Sequence, residues 1–220
     1  ASTSAQLAFL NQQGTLQSGS TLSINTQSIN NQGGTIKSQK ALSLTAVQDY
    51  THRAGDTLTS NQSVTLNIAG ALTNLTDWLL PGDFTLSSLN FTNQGSLVSK
   101  NLAISTGKLD NLNRLEADKM TLNVDVLNNS ATLMGDEIRV KAKAIDNHGK
   151  KAVIAAAKHI YLQTEKTLTN RDQALIYSGD TLTLTSADLI ENNASFIEAE
   201  GAVSITARQL NNLREGLDIQ

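Results

Sequence analysis

Cysteine is absent from this chain of 220 residues, and proline occurs once. The lack of cysteine excludes disulfides and thiolate metal sites, and it suits a chain that is exported unfolded. No run of about 18 apolar residues occurs, so the sequence predicts no membrane span. The net charge is only −3, which implies no general attraction to nucleic acid or anionic lipid. Aromatic residues make up just 4 % of the chain, fewer than an ordinary globular core contains, but 39 % hydrophobic residues argue against disorder.

What the sequence does contain is a repeat, which residues 127–144 show most clearly. Leu127 opens the unit, Asn129 stands two places further on, and Leu133 six places after the opener. The pair Ile138 and Val140 closes the unit and alternates with charged residues. A period of about 20 residues is typical of solenoids, in which each unit stacks on the next.

The same unit is found along the whole chain. Its openers are Leu10, Ile29, Thr51, Leu72, Phe91, Leu109, Leu127, Ile145, Leu168, Ile190 and Leu210. The asparagines two places after an opener are Asn31, Asn74, Asn93, Asn111, Asn129, Asn147, Asn170, Asn192 and Asn212. The apolar residues six or seven places after an opener are Leu16, Ile36, Leu58, Leu97, Leu115, Leu133, Leu175 and Ile197. The closing pairs are Leu22/Ile24, Leu42/Leu44, Val64/Leu66, Phe84/Leu86, Leu102/Ile104, Met120/Leu122, Ile138/Val140, Ile160/Leu162, Leu182/Leu184 and Val203/Ile205.

This pattern predicts an all-β chain, since each closing pair has the period of two that marks a strand with one buried face. A strand of four to six residues cannot bury that face alone, so successive units must stack. We therefore expect a single domain over residues 1–220, a parallel β-helix of about ten coils of roughly 20 residues. At about 4.8 Å per coil, the rod would be about 50 Å long. The asparagines would stack into an amide ladder along one corner.

Several phrases of the repeat carry a family resemblance. Residues 29–38 (Ile-Asn-Asn-Gln-Gly-Gly-Thr-Ile-Lys-Ser), 91–99 and 127–134 resemble the filamentous-haemagglutinin repeat, and the resemblance extends over essentially the whole chain. It implies a right-handed β-helix that forms the shaft of a two-partner secretion exoprotein, either a large adhesin or a contact-dependent growth inhibition effector. The family's secretion domain carries Asn-Pro motifs, whereas the one proline here, Pro81, follows Leu80.

The resemblance also implies location, partners and role. The parent protein would pass an outer-membrane transporter, by a secretion domain outside this chain, and be displayed on a Gram-negative cell surface. We expect the chain to be a fragment of that protein, a shaft that projects a distal binding or toxin module. The alternative is a segment that itself binds a receptor or glycan on a neighbouring or host cell. Residues 1–9 and 213–218 are the candidate caps, and end-to-end association is expected where coil edges stay unpaired.

One interruption of the repeat is a candidate binding site. Residues 76–84 contain the only Trp and the only Pro of the chain. Trp78, Leu79, Leu80 and Phe84 would form an exposed apolar anchor, because Trp is enriched at binding hot spots. Alternatively, these side chains fill a corner of the core where the coil changes shape.

A basic cluster is the second candidate. Its members are Arg139, Lys141, Lys143, Lys150 and Lys151, with Lys158, Lys166 and Arg171 further along. The first three alternate with apolar residues and should face solvent, and stacking of coils would gather the charges into a stripe that meets sulfated glycans or phosphates. The alternative is a solvated face that discourages lateral aggregation.

The sequence offers little for catalysis, and we expect neither an enzyme, a cofactor nor a metal site. Some β-helices cleave polysaccharides with clustered carboxylates, but Asp110 and Asp146, which hold equivalent places, should lie two coils apart, about 10 Å. His52, His148 and His159 are too dispersed to predict a metal site.

Overall fold

The computed structural model describes residues 7–214, in which parallel β-strands stack in about ten coils of roughly 20 residues. This confirms the predicted parallel β-helix. Residues 7–214 include no helix, and hence none long and apolar enough to cross a bilayer. Most of both predicted caps, residues 1–6 and 215–218, lies outside the described residues.

Each coil bends between three faces, which we call A, B and C. The strands of the first four coils are β1 (Ala8–Leu10), β2 (Thr15–Ser18), β3 (Leu22–Thr26), β4 (Ser28–Asn30), β5 (Thr35–Ser38), β6 (Ala41–Ala46), β7 (Tyr50–His52), β8 (Thr57–Ser60), β9 (Ser63–Asn74), β10 (Trp78–Leu79) and β11 (Asp83–Asn93). The following coils consist of β12 (Leu97–Asn111), β13 (Arg114–Asn129), β14 (Thr132–His148), β15 (Val153–Arg171), β16 (Leu175–Ser178), β17 (Thr181–Ser186), β18 (Leu189–Asn193), β19 (Phe196–Ala199), β20 (Val203–Thr206) and β21 (Gln209–Leu213).

The faces differ in how continuous their strands are. Face A contains β1, β4, β7, β18, β21 and the C-terminal ends of the long strands β9 and β11–β15. Face B contains β2, β5, β8, β10, β16, β19 and the N-terminal ends of β12–β15, and face C contains β3, β6, β17, β20 and the remaining parts of the long strands. Strands β12–β15 run around the corners without a break, so the three faces merge into one hydrogen-bonded sheet there.

The core follows from the alternation within each strand. Leu122, Val140, Leu162 and Leu184 are paired in successive coils and fully buried, as the closing pairs predict. Their polar neighbours in sequence point outward, so face C separates core from solvent with a period of two. At the corner between faces B and C the coils approach closely. A Cβ at Gly135 would overlap the carbonyl oxygen of Ala117 one coil away, which explains a glycine there.

Three of the predicted core positions are out of register, and Val203, Ile205 and Leu210 of the last described coil are in register but exposed. Phe9, not Leu10, pairs with Ile29 as the opener of the first coil, and Leu10 is exposed. Tyr50, not Thr51, pairs with Leu72 and opens the third coil. In the ninth coil, buried Ile176 takes the position predicted for Leu175, because it stacks on Ile154.

The asparagines form the predicted ladder at the end of face A. In seven successive steps each Nδ2 donates to the Oδ1 of the next asparagine, at 2.7–3.0 Å. The ladder connects Asn74, Asn93, Asn111, Asn129, Asn147, Asn170, Asn192 and Asn212. A separate step joins Asn11 to Asn31 at 2.7 Å, so the corrected first opener also has its asparagine two places on. His52 occupies the position between the two segments, since it pairs with Asn74.

Candidate functional site

The segment predicted as an apolar anchor is built into an aromatic cluster of the third and fourth coils. The Trp78 ring stacks on His52 with centroids 4.0 Å apart, and it meets Phe84 edge-on at 5.3 Å. Its Nε1 donates to the Leu58 carbonyl oxygen at 2.8 Å. Trp78 pairs with Leu97 of the next coil, so it occupies an inward position of face B.

The predicted exposed anchor is therefore wrong for three of its four residues. Trp78 is only 3 % exposed, and Leu80 and Phe84 are also buried. These side chains fill the corner of the core, which is the alternative that the sequence left open. Leu79 points the other way and is 68 % exposed, because it alternates with Trp78 along β10.

Two titratable groups lie inside this cluster. Burial lowers the pKa of His52 to about 4, although Asp56 acts in the opposite direction. Burial, followed by the charge of Asp56, raises the pKa of Tyr50 well above its ordinary value. The Tyr50 hydroxyl lies 3.3 Å from Nδ1 of His52. At neutral pH both groups are therefore uncharged, as a dry core requires.

The basic cluster faces solvent as predicted, but it belongs almost wholly to one coil. Arg139 and Lys141 lie on face C of β14, and the Arg139 guanidinium sits 5.9 Å from the Tyr161 ring centroid. Lys143 lies 3.0 Å from Asp125. Lys150 and Lys151 are in the turn after β14, around the corner from the other three.

The predicted stripe does not continue along the rod from Arg139 and Lys141, because the residues paired with them in the neighbouring coils are uncharged. Arg139 pairs with Thr121 and Tyr161, and Lys141 with Asn123 and Gln163. Beyond this coil, Lys158 binds Asp136 at 2.8 Å and Arg171 donates to both oxygens of Asp146. Within residues 7–214, the cations without an ion pair include Arg139, Lys141, Lys150 and Lys151.

Of the carboxylates and histidines named from the sequence, Asp146 and His148 come together, and the others lie apart. Asp110 and Asp146 both pair with Asn128, one from each side, which confirms that they are two coils apart. His148 Nδ1 lies 3.2 Å from Asp146, and His159 donates to or accepts from Thr181 at 2.7 Å. Among the described residues, no three His, Asp or Glu side chains are grouped as a metal site would need.

Sequence analysis missed a groove on the outside of face B. The groove has a volume of about 380 Å³, and its lining includes Val98, Met134, Ala155 and Tyr177. Ala117, Gly135 and Ala156 also line it. The available signal was the loss of alternation in residues 152–157, which are apolar on both sides of the strand.

Comparison of the chain with models of known protein families, with curated proteins and with solved structures gave no match.

Proposed function

We propose that this chain is a structural shaft segment of a secreted exoprotein of the filamentous-haemagglutinin type, displayed on a Gram-negative cell surface. In this role it projects a distal binding or toxin module away from the cell. The observation that carries the proposal is the stack of coils on one continuous core. A shaft needs only to resist bending, and parallel strands add hydrogen bonds along the rod in every coil.

The amide ladder adds stiffness along the same axis. In its interior each asparagine accepts from one neighbour and donates to the next, and its second N–H reaches a backbone carbonyl at the start of face B. Asn111, for example, donates to Asn129 at 2.8 Å and to the Thr132 carbonyl at 3.1 Å. The ladder thus ties each corner to the following coil, and buried amides that are fully paired favour one register.

Surface display is tested in a bacterium that carries the parent gene. Intact cells are treated with protease and probed with an antibody against residues 7–214, and lysed cells serve as the control. We expect cleavage on intact cells, and loss of that surface signal when the outer-membrane transporter of the secretion system is deleted. Protection on intact cells, with cleavage only after lysis, would contradict the proposal.

The second candidate function is a receptor- or glycan-binding segment, which the cations without ion pairs favour. The variant Lys141→Gln, Lys143→Gln, Lys150→Gln, Lys151→Gln removes most of the basic cluster, and its folding should be intact because exposed charges stabilise little. If the chain is a shaft, a sulfated-glycan column should retain wild type only weakly, and this retention should be lost near physiological salt. The variant should then behave much like wild type.

A charge-matched variant controls for nonspecific attraction in the column experiment. It changes four lysines elsewhere on the rod to glutamine: Lys37, Lys40, Lys100 and Lys119. Tight retention of wild type that only the first variant loses would favour the binding segment. Equal small losses in both variants would support the shaft.

A further inference from the structure

The outward side of face B changes character along the rod. In the first three coils its outward residues are polar: Thr15, Gln17, Thr35, Lys37, Thr57 and Thr59. From the fourth coil onward most are apolar: Leu79, Val98, Met134, Val153, Ala155, Leu175, Tyr177 and Phe196. The strands of face B therefore alternate apolar inward residues with polar outward residues in the first half of the rod, and they lose this alternation in the second half.

The apolar residues of the last coils are contiguous. Val153, Leu175 and Phe196 are paired in a row across successive strands. Met134, Ala155 and Tyr177 form the neighbouring row. We call these six residues the apolar patch. Met134 is 40 % exposed and Phe196 54 % exposed, and the groove runs beside the second row.

Such a surface is unusual for a sheet that faces water. Parallel strands with apolar residues on both sides are typical of sheets covered on both faces, and contiguous exposed apolar patches mark interaction sites. One outward row of face A shows the contrast, since from the fourth coil onward it is polar: Thr92, Asp110, Asn128, Asp146, Thr169 and Glu191. The other outward row of face A includes Val126 and Ala144, but these pair with the polar residues Lys108 and Thr167. Face B has the composition of a covered sheet only where the patch lies.

Carboxylates surround the patch and the groove. Glu116 and Asp118 lie at one end, Asp136 along the edge, and Glu198 and Glu200 at the other end. The cations at this surface, Arg114 and Lys158, are already bound to Glu116 and Asp136. The Tyr177 hydroxyl donates to Oε1 of Glu200 at 2.7 Å. This hydrogen bond holds a carboxylate beside the apolar patch at its Glu198/Glu200 end.

The carboxylates around the patch determine which kind of partner could cover it. An anionic lipid headgroup would be repelled, and a second copy docked face to face would bring like-charged carboxylates together. Apolar side chains flanked by Lys or Arg complement both the patch and its edge. The four coils from Met134 to Phe196 span three strand spacings, about 14 Å, which matches about ten residues of helix.

We propose that the apolar patch is a docking surface for a partner polypeptide, which lays an amphipathic helix with flanking Lys or Arg residues along face B. The inference is independent of the proposed shaft, because it rests on the outward residues of one face and not on the stacking of coils. A shaft that carries this surface would hold a second protein along its side.

The test measures binding of two labelled helical peptides of about 14 residues by fluorescence anisotropy. One is composed of Leu and Lys with a single apolar face, and the other has Glu in place of every Lys. We expect the basic peptide to bind at least about tenfold more tightly than the acidic one. The Glu116→Gln, Asp118→Asn variant should reduce the salt dependence of that binding.

A second variant replaces three residues of the apolar patch by threonine, which occupies the equivalent position of face B in the first three coils. Val153→Thr, Leu175→Thr, Phe196→Thr copies Thr15, Thr35 and Thr57 of the first coils, so the strands should form as before. This variant should bind the basic peptide at least about tenfold less tightly than wild type does. The control Leu89→Thr, Leu112→Thr changes two exposed leucines outside the apolar patch and should leave binding within about twofold. Circular dichroism verifies that each variant folds.

Any of the following results would overturn the proposal. The first is that the acidic peptide binds as tightly as the basic one, or that the triple threonine variant retains binding of the basic peptide. The second is self-association of wild type in sedimentation that this variant abolishes, which would assign the patch to a second copy. The third is binding of cellohexaose, lost in the triple variant, with no peptide binding, which would assign it to a neutral glycan.

Discussion

At the residue scale, the buried asparagines show how one side chain can bind three partners. Asn129 accepts from Asn111 at 2.8 Å and donates to Asn147 at 2.7 Å and to the Ala131 carbonyl at 2.9 Å. It is fully buried, so water cannot replace any of these bonds. The ladder is therefore strong when complete and sensitive to a single gap.

Asn129→Ala should leave one N–H of Asn111 and the Oδ1 of Asn147, both buried, without a partner. We expect a loss of about 2–4 kcal/mol in the free energy of unfolding, measured by urea denaturation. Asn123→Ala is the control, since that side chain is exposed on the same strand and its loss should matter by less than about 0.5 kcal/mol. Equal effects of the two substitutions would contradict a structural role for the ladder.

His52 gives the chain a pH-dependent stability. Its pKa is about 4 in the folded chain and 6.5 in a model peptide, so the unfolded state binds the proton first as the pH falls. The stability that neutral His52 contributes is complete above pH 6.5 and is lost progressively down to about pH 4, a loss of about 3 kcal/mol. Denaturation at a series of pH values measures this loss.

The control for the pH dependence is His52→Asn, which cannot titrate. Its free energy of unfolding should fall less steeply than that of wild type between pH 6.5 and 4, whatever its stability at neutral pH. An unchanged slope in the variant would show that other groups cause the pH dependence.

At the scale of single strands, the alternation of side chains decides which positions tolerate charge. Leu162 of β15 is fully buried between Val140 and Leu184. Leu162→Asp would place an unpaired carboxylate between two coils, and we expect a loss of at least about 3–5 kcal/mol. Gln163→Asp, one position along, should leave the melting temperature nearly unchanged, because that side chain points outward. Thermal unfolding monitored by circular dichroism compares the two.

The strands also show where sequence patterns suffice and where they fail. The register of the closing pairs on face C was predicted correctly because alternation is a property of neighbouring residues. Tyr50 and Thr51 are both compatible with a strand, and only pairing with Leu72 on the next coil decides that Tyr50 points inward. Likewise, Leu175 and Ile176 are both apolar, and the position of Ile154 selects the second.

At the scale of the whole molecule, the repeat predicts that a complete coil can be removed. Arg114 pairs with Thr132, so deletion of residues 114–131 joins Asn113 directly to an equivalent position. Leu97 would then stack on Leu133, and the ladder would continue from Asn111 to Asn147. In a solenoid each coil interacts only with its neighbours, so the shortened chain should fold.

We expect the far-ultraviolet spectrum to stay β-rich and the maximum dimension in small-angle scattering to fall by about 5 Å. Deletion of residues 114–122 alone is the control, because half a coil puts outward residues into the core and should abolish cooperative unfolding. A one-coil deletion that unfolds as completely as the half-coil deletion would contradict the repeat as the unit of folding.

The sequence by itself determined the period, the parallel β-helix, the core pairs of face C and the asparagine ladder. All of these depend on residue order within one unit, repeated often enough to be unambiguous. Only the tertiary structure decided which way Trp78 points, that the cations near Arg139 belong to one coil, and that apolar residues gather on face B. The physical reason is that a stacked neighbour lies about 20 residues away in sequence. The length of each turn fixes which residues meet across that gap.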